Sequence, residues 1–234
     1  MRSILALLLL LPSLSWADVL KITSLEWPPY AGAQLPGQGT MISRVRDALA
    51  TQGHQLEVHF LPWQRALLLV NQDADYLAYG PEYQDVERDK GYYTSDSIAS
   101  GPLGIAYRRE KPLFWRSPSD LYPFRIGIVR DYVNTQSFDD AVAAGLQKVD
   151  LADSDRQNLL KLAYGRVDAV VVDGQVMAYW LAHDDKLKPF AEDLVMAPRL
   201  LEDKRLFLNF RRSPEGKRWR DILNQGLKAL PLAR

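Results

Sequence analysis

Residues 167–172, Val167-Asp168-Ala169-Val170-Val171-Val172, are almost all β-branched or small and carry one charge. A strand with this pattern is apolar on both faces and has to be covered on both, which is the situation of parallel strands flanked by helices. The rest of the chain supplies the covers. Residues 19–23 form a short β-prone run, and 25–39, with Pro28, Pro29, Gly32, Pro36 and Gly37, reads as a loop. Thr40 caps a helix in which Met41, Val45, Ala48 and Leu49 recur at helical spacing until Gly53 stops it. Residues 54–61 alternate as a strand does, with Leu56, Val58 and Phe60 on one face. A short helix at 63–70, a strand at 75–79, a polar segment at 81–91 and an extended run at 99–107 follow. Beyond these, strands are predicted at 124–129, 167–172 and 206–210, and helices at 138–146, 154–164, 175–182 and 217–230. Strands alternating with helices predict an α/β fold with mainly parallel sheets.

Composition narrows the chemistry. The 234 residues hold 29 Lys plus Arg against 29 Asp plus Glu, with 47% hydrophobic residues, enough for a core in one large domain or two lobes. A balanced charge without a long basic run argues against nucleic acid, whose phosphates demand clustered Lys and Arg. The absence of cysteine excludes disulfides, thiolate metal sites and thiol catalysis. At the N-terminus, Arg2 precedes an apolar run at 4–11, and Ser15-Trp16-Ala17 offers small residues for cleavage, so residues 1–17 are expected to be a signal peptide cut after Ala17. That run is shorter than the roughly 20 residues of a membrane span. The expected location is the periplasm.

The order of elements fits two lobes better than one sheet. Residues 97–101, Ser-Ile-Ala-Ser-Gly, lie between two complete β/α runs and make a hinge candidate. Landmarks in a fixed order strengthen this: Glu26-Trp27-Pro28-Pro29-Tyr30 after the first strand, Leu61-Pro62-Trp63-Gln64-Arg65-Ala66-Leu67 at a helix start, and Asp75-Tyr76-Leu77-Ala78-Tyr79-Gly80 as a strand ending in glycine. Glu87-Arg88, Tyr93-Thr94-Ser95, Asp120-Leu121 and Gly165-Arg166-Val167-Asp168 through Val172-Asp173 come next. From about residue 18 to 230 the chain resembles extracellular solute-binding protein family 3, whose members close two lobes on amino acids and related solutes for ABC importers. The resemblance implies a type II periplasmic-binding-protein-like α/β fold with a hinge. Lobe 1 would comprise 18–100 and a return segment 205–234, and lobe 2 would comprise 101–204.

It also implies a ligand site. Trp27 stands where the family places a ring against the ligand, with Tyr30 and Trp63 completing the wall; Trp63 serves equally as a core residue. Gly80 ends the strand that leads to the Glu-Arg pair. Arg88 matches the arginine that grips a ligand carboxylate, a task suited to its planar fork, or it is a solvated arginine among Glu82, Asp85, Glu87 and Asp89. Asp173 matches the carboxylate that receives a ligand ammonium, and it also suits a helix cap. Arg130 would add positive charge, and free N–H groups at Asn134 and Thr135 would bind an anion. Two departures from the family stand out. The small pair before the second helix is replaced by Asp131-Tyr132-Val133, and no threonine precedes Glu87-Arg88.

Other chemistries find no pattern. His54 and His59 lie five apart, an odd spacing that sends strand side chains to opposite faces, so no metal is expected. There is no Gly-x-Ser-x-Gly turn and no phosphate-binding glycine loop. The resemblance implies a monomeric binding protein without a cofactor, partnered by the permease of an ABC importer and by a small polar solute, an amino acid or related zwitterion for which Arg88 and Asp173 offer opposite charges. The alternatives are a sensing module for a membrane signalling partner and a dehydratase-like enzyme with Glu26 or Asp173 as acid or base.

Overall fold

The computed structural model describes residues 17–231; the signal-peptide reading falls on residues that, apart from Ala17, lie outside it. Among the described residues no helix is long and apolar enough to cross a membrane. The strands form one sheet in the order β2-β1-β3-β9-β5-β8-β6-β7, with β4 also pairing β9. Here β1 is Val19–Ser24, β2 Gln55–Phe60, β3 Ala78–Tyr83, β4 Tyr92–Thr94, β5 Ala99–Arg108, β6 Ile126–Val129, β7 Val149–Ala152, β8 Ala169–Asp173 and β9 Leu194–Arg211. The expectation of mainly parallel sheets is corrected. β1 runs parallel to β2 and β3, and β6 to β7 and β8, but every pairing of β5 and β9 is antiparallel.

Helix α1 (Thr40–Thr51) buries Met41, Ile42, Val45, Ala48 and Leu49, the stripe its periodicity foretold. Its cap is Gly39 rather than Thr40. At Gly39, φ is +105° and a Cβ would come within 2.4 Å of the Tyr30 carbonyl oxygen, so only glycine fits. The orphan N–H groups of Thr40 and Met41 instead donate to the carbonyls of Pro29 and Tyr30, at 2.9 and 3.0 Å. This ties the loop carrying Trp27 and Tyr30 to a helix end. α1 packs on α7 (Pro214–Ala229), where Gly226 lies so close that a Cβ would meet the Ala48 carbonyl oxygen at 2.1 Å. Trp219, Leu223 and Leu227 are the other large residues that α7 buries.

Strand β8 is buried at all five positions, as its composition demanded. Three elements depart from expectation. β3 starts at Ala78 and runs through Pro81, Glu82 and Tyr83, all buried, where a polar segment was expected. A proline and a glutamate read as strand breakers, yet the ladder to β9 shifts register between Tyr79 and Glu82 and absorbs them. β9 extends over 18 residues where only 206–210 was predicted; Glu202-Asp203-Lys204-Arg205 in its middle hid the pattern. The hinge candidate at 97–101 is strand from Ala99 onward, paired with β9 from Ala99–Leu206 to Arg108–Leu194. The helices that complete the fold are α2 (Trp63–Gln72), α3 (Val86–Asp89), α4 (Gln136–Ala143), α5 (Asp155–Ala163) and α6 (Gly174–His183).

Candidate functional site

The loop after β1 turns tightly, with Trp27 N–H donating to Ala31 O at 2.8 Å and Tyr30 N–H to Trp27 O at 3.0 Å. The turn brings the two rings together, centroids 4.8 Å apart and planes tilted by 37°. Tyr83 on β3 and Tyr132 in the β6–α4 loop meet Trp27 edge-on, at 5.5 and 6.3 Å. Trp27 is thus the hub of four aromatic rings drawn from both halves of the sheet, and offset or edge contacts of this kind suit their quadrupoles.

Two buried carboxylates face this cluster. Asp173 ends β8 and caps α6, accepting from the N–H groups of Gln175 and Val176 at 2.7 and 3.1 Å. It also accepts from the hydroxyls of Tyr30, at 3.1 Å to Oδ2, and of Tyr83, at 3.0 Å. It therefore performs the capping role and faces the cleft at once. Asp155, at the start of α5, accepts from the indole N–H of Trp27 at 3.0 Å. Asp155 and Asp173 are 5% and 2% exposed. Burial pushes the Asp155 carboxyl up to about 7, the Trp27 N–H pulls against this, and the charge of Asp173 adds to it. Burial also raises Asp173, opposed by the helix N–H donors and the two tyrosines.

Arg88, on α3, forms an ion pair with Glu82, which is 5% exposed. Burial lifts the Glu82 carboxyl to about 7 against the pull of the guanidinium. A second guanidinium nitrogen of Arg88 reaches the Asp131 carbonyl at 3.4 Å, and Gln64 donates to the Asp131 carboxylate. The arginine expected to await a ligand carboxylate thus holds a carboxylate of the protein.

The other predicted positions scatter. Trp63 stands at the start of α2, packed edge-on against Tyr79 at 5.7 Å, its indole N–H buried without a partner. Gly80 allows a close strand approach, since a Cβ there would lie 2.8 Å from the Phe207 carbonyl oxygen. The Asn134 N–H and amide are both taken by Asp139, at 2.9 and 2.7 Å, so its backbone donor is not free for an anion. Arg130 is half exposed and lies 3.7 Å from Asp153 along an open groove beside Trp63 and Phe60. The structure joins Trp27, Tyr30 and Asp173 in one constellation, with Arg88 at its margin; Trp63 lines the cavity beside it, Arg130 lines the groove that adjoins this cavity, and Asn134 is engaged by Asp139. Sequence reasoning missed Glu82, Tyr83, Tyr132 and Asp155. Tyr83 and Glu82 were hidden in the segment read as polar loop, and Asp155 in the ordinary acidic first turn of a helix.

Between these groups lies a cavity lined by Leu25, Trp27, Trp63, Glu82, Tyr83, Tyr132 and Val133, with about 20 Å³ of free space. That is room for about one water, whereas pockets for small molecules measure roughly 300–1,000 Å³. The open groove that shares Leu25, Trp63 and Tyr132 with this cavity is larger, about 360 Å³. Gly101, on β5, sits beneath the contact of Tyr30 with Asp173: a Cβ would meet Asp173 Oδ2 at 1.9 Å and the Tyr30 hydroxyl at 2.3 Å. Gly101→Ala is expected to push Asp173 and Tyr30 apart at a cost of about 1–3 kcal/mol, read by urea denaturation. An unchanged midpoint would contradict the tight approach.

No family model matches the chain, and no curated protein matches it in sequence. Solved structures do match over nearly its whole length. The arginine-bound form of truncated ArgBP from T. maritima aligns with a TM-score of 0.72 at 19% identity, covering 91% of this chain and 96% of that one. A histidine kinase sensor domain with similarity to periplasmic binding proteins aligns at 0.77 and 16%, covering 90% and 89%. The GluR0 ligand-binding core from Nostoc punctiforme, in complex with L-glutamate, aligns at 0.68 and 17%, covering 90% and 92%. The chain has the two-lobed α/β fold of the periplasmic binding proteins. At the level of fold these neighbours agree with the resemblance to solute-binding protein family 3.

Proposed function

We propose that this protein is an exported solute-binding protein that closes its two lobes on a small polar solute. The observation that carries the reading is the meeting of Trp27, Tyr30 and Tyr83 with Asp155 and Asp173, donors from one half of the sheet and acceptors from the other. A solute that touches both sides favours the shut form only through contacts the open form lacks. The structural neighbours, named for bound arginine and L-glutamate, support the same use of the fold. Delivery to an importer's permease in the periplasm is the role proposed, on the strength of the N-terminal sequence and the family resemblance. The sensor-domain neighbour supports a second reading, in which closure signals to a membrane partner.

The test is a thermal-shift screen of residues 18–234 against amino acids, amines, small carboxylates and sugars. A ligand at 100 times its Kd is expected to stabilise the fold by about 2.7 kcal/mol, which moves Tm upward by several degrees. A screen in which no solute of any class shifts Tm would overturn the solute-binding reading.

A further inference from the structure

The charges around the cleft do not balance. Each basic side chain near it already holds an acid of its own: Arg88 holds Glu82, Lys204 lies 3.6 Å from Glu202, and Arg130 lies 3.7 Å from Asp153. Asp155 and Asp173 have no such partner. Everything that reaches them is neutral: an indole N–H, two phenol hydroxyls and backbone N–H groups. Asp173 has four neutral donors and no opposite charge, and Asp155, with the Trp27 indole as its side-chain donor, is the more thinly compensated of the two. Around them stand Trp27, Tyr30, Tyr83 and Tyr132; the Tyr83 ring already holds the Lys204 ammonium, 5.5 Å from its centroid, and the other rings offer faces that attract a cation. A ligand carboxylate, by contrast, would have to take Arg88 from a buried glutamate.

Resting on the solute-binding reading, we propose that the solute is a small organic cation, a primary or quaternary ammonium or a guanidine. Its charge is held between Asp155 and Asp173 against the rings around Trp27, and it needs no carboxylate. In the opened cleft the cation takes over the carboxylate oxygens that the Trp27 indole and the tyrosine hydroxyls occupy when it is shut. Neutral donors give way to a charged one, and charge-assisted bonds are the stronger kind.

The experiment compares matched pairs by calorimetric titration of the mature chain at pH 8: agmatine with arginine, cadaverine with lysine, choline with glycine betaine. The expected result is that at least one decarboxylated or alcohol member binds tenfold or more tighter than its carboxylate-bearing partner. Asp155→Asn should weaken that binding at least tenfold while its Tm at pH 8 is no lower than wild type, which separates loss of the site from loss of the fold. Tenfold preference for the carboxylate-bearing members would overturn the cation proposal and leave the solute-binding reading intact. Binding only of neutral or acidic solutes would do the same. If Asp155→Asn bound the cation undiminished, the placement between the two aspartates would fail. Silence from every solute, in this titration and in the thermal screen alike, would overturn both.

Discussion

Arg88→Ala is expected to lower stability by about 1–2 kcal/mol at pH 8 with no solute present, because it leaves Glu82 buried without its counter-charge and a carboxyl at about 7 is protonated at pH 8 for about 1.4 kcal/mol. The glutamate has an escape. With Arg88 gone, its carboxyl, already lifted by burial, rises further and takes up a proton, so the loss shrinks toward pH 5. Glu82→Gln in the same chain removes the charge while keeping the side-chain oxygen that the Tyr83 N–H donates to at 3.1 Å; it is expected to restore most of the lost stability. Urea denaturation of the two variants at both pH values checks this. An Arg88→Ala protein as stable as wild type would mean that the guanidinium is free for a ligand carboxylate, as the family resemblance implied. The measurement therefore decides between an internal ion pair and a clamp.

Asp155→Asn is expected to act in the opposite direction. The Asp155 carboxyl is displaced from an ordinary 3.8 to about 7, so between those values the folded chain binds a proton that the unfolded chain has released. Stability conferred by that proton is complete below about pH 4 and is lost as pH rises through about 7; the displacement is worth on the order of 4 kcal/mol. Asparagine keeps an oxygen for the Trp27 indole and cannot ionise. The variant should match wild type near pH 5 and exceed it at pH 8 by about 2–3 kcal/mol, the rest being the weaker hydrogen bond of a neutral acceptor. That is a rise in Tm of roughly 5–10 °C. Glu82 titrates in the same range but is common to both proteins, and Asp150 and Asp184, held low by Lys161 and Arg156, weaken the fold only at acid pH. A gain at pH 8 that is absent, or equal at pH 5, would show that Asp155 carries its charge without penalty.

How far the sequence reached follows from what each signal encodes. The buried strand β8 was legible because an unbroken Val-rich run has few other uses, and α1 because its stripe is periodic. β9 was not, since its charged centre pairs with β5 in a way that no local pattern records. The site shows the same division. Trp27, Tyr30 and Asp173 were proposed from the family resemblance, and the structure brings these three side chains together. The partners that complete the constellation, Tyr83, Tyr132 and Asp155, lie 56 or more residues from Trp27 in the chain and reach it only through tertiary contact. Arg88 was found as a position and mistaken in its circumstances, because the proximity of Glu82 depends on a bulge that lets β3 run on through Pro81.

The ladder between β5 and β9 carries a mechanical consequence. Two antiparallel strands bonded from Ala99–Leu206 to Arg108–Leu194 are stiff against sliding, which would shear every hydrogen bond at once, and compliant in twist, which strands accept readily. The register shifts beside Gly104 are where such a ribbon bends most easily. If the halves part as the solute-binding reading proposes, the expected motion is a rotation spread along this ribbon, with its axis set by the strand direction.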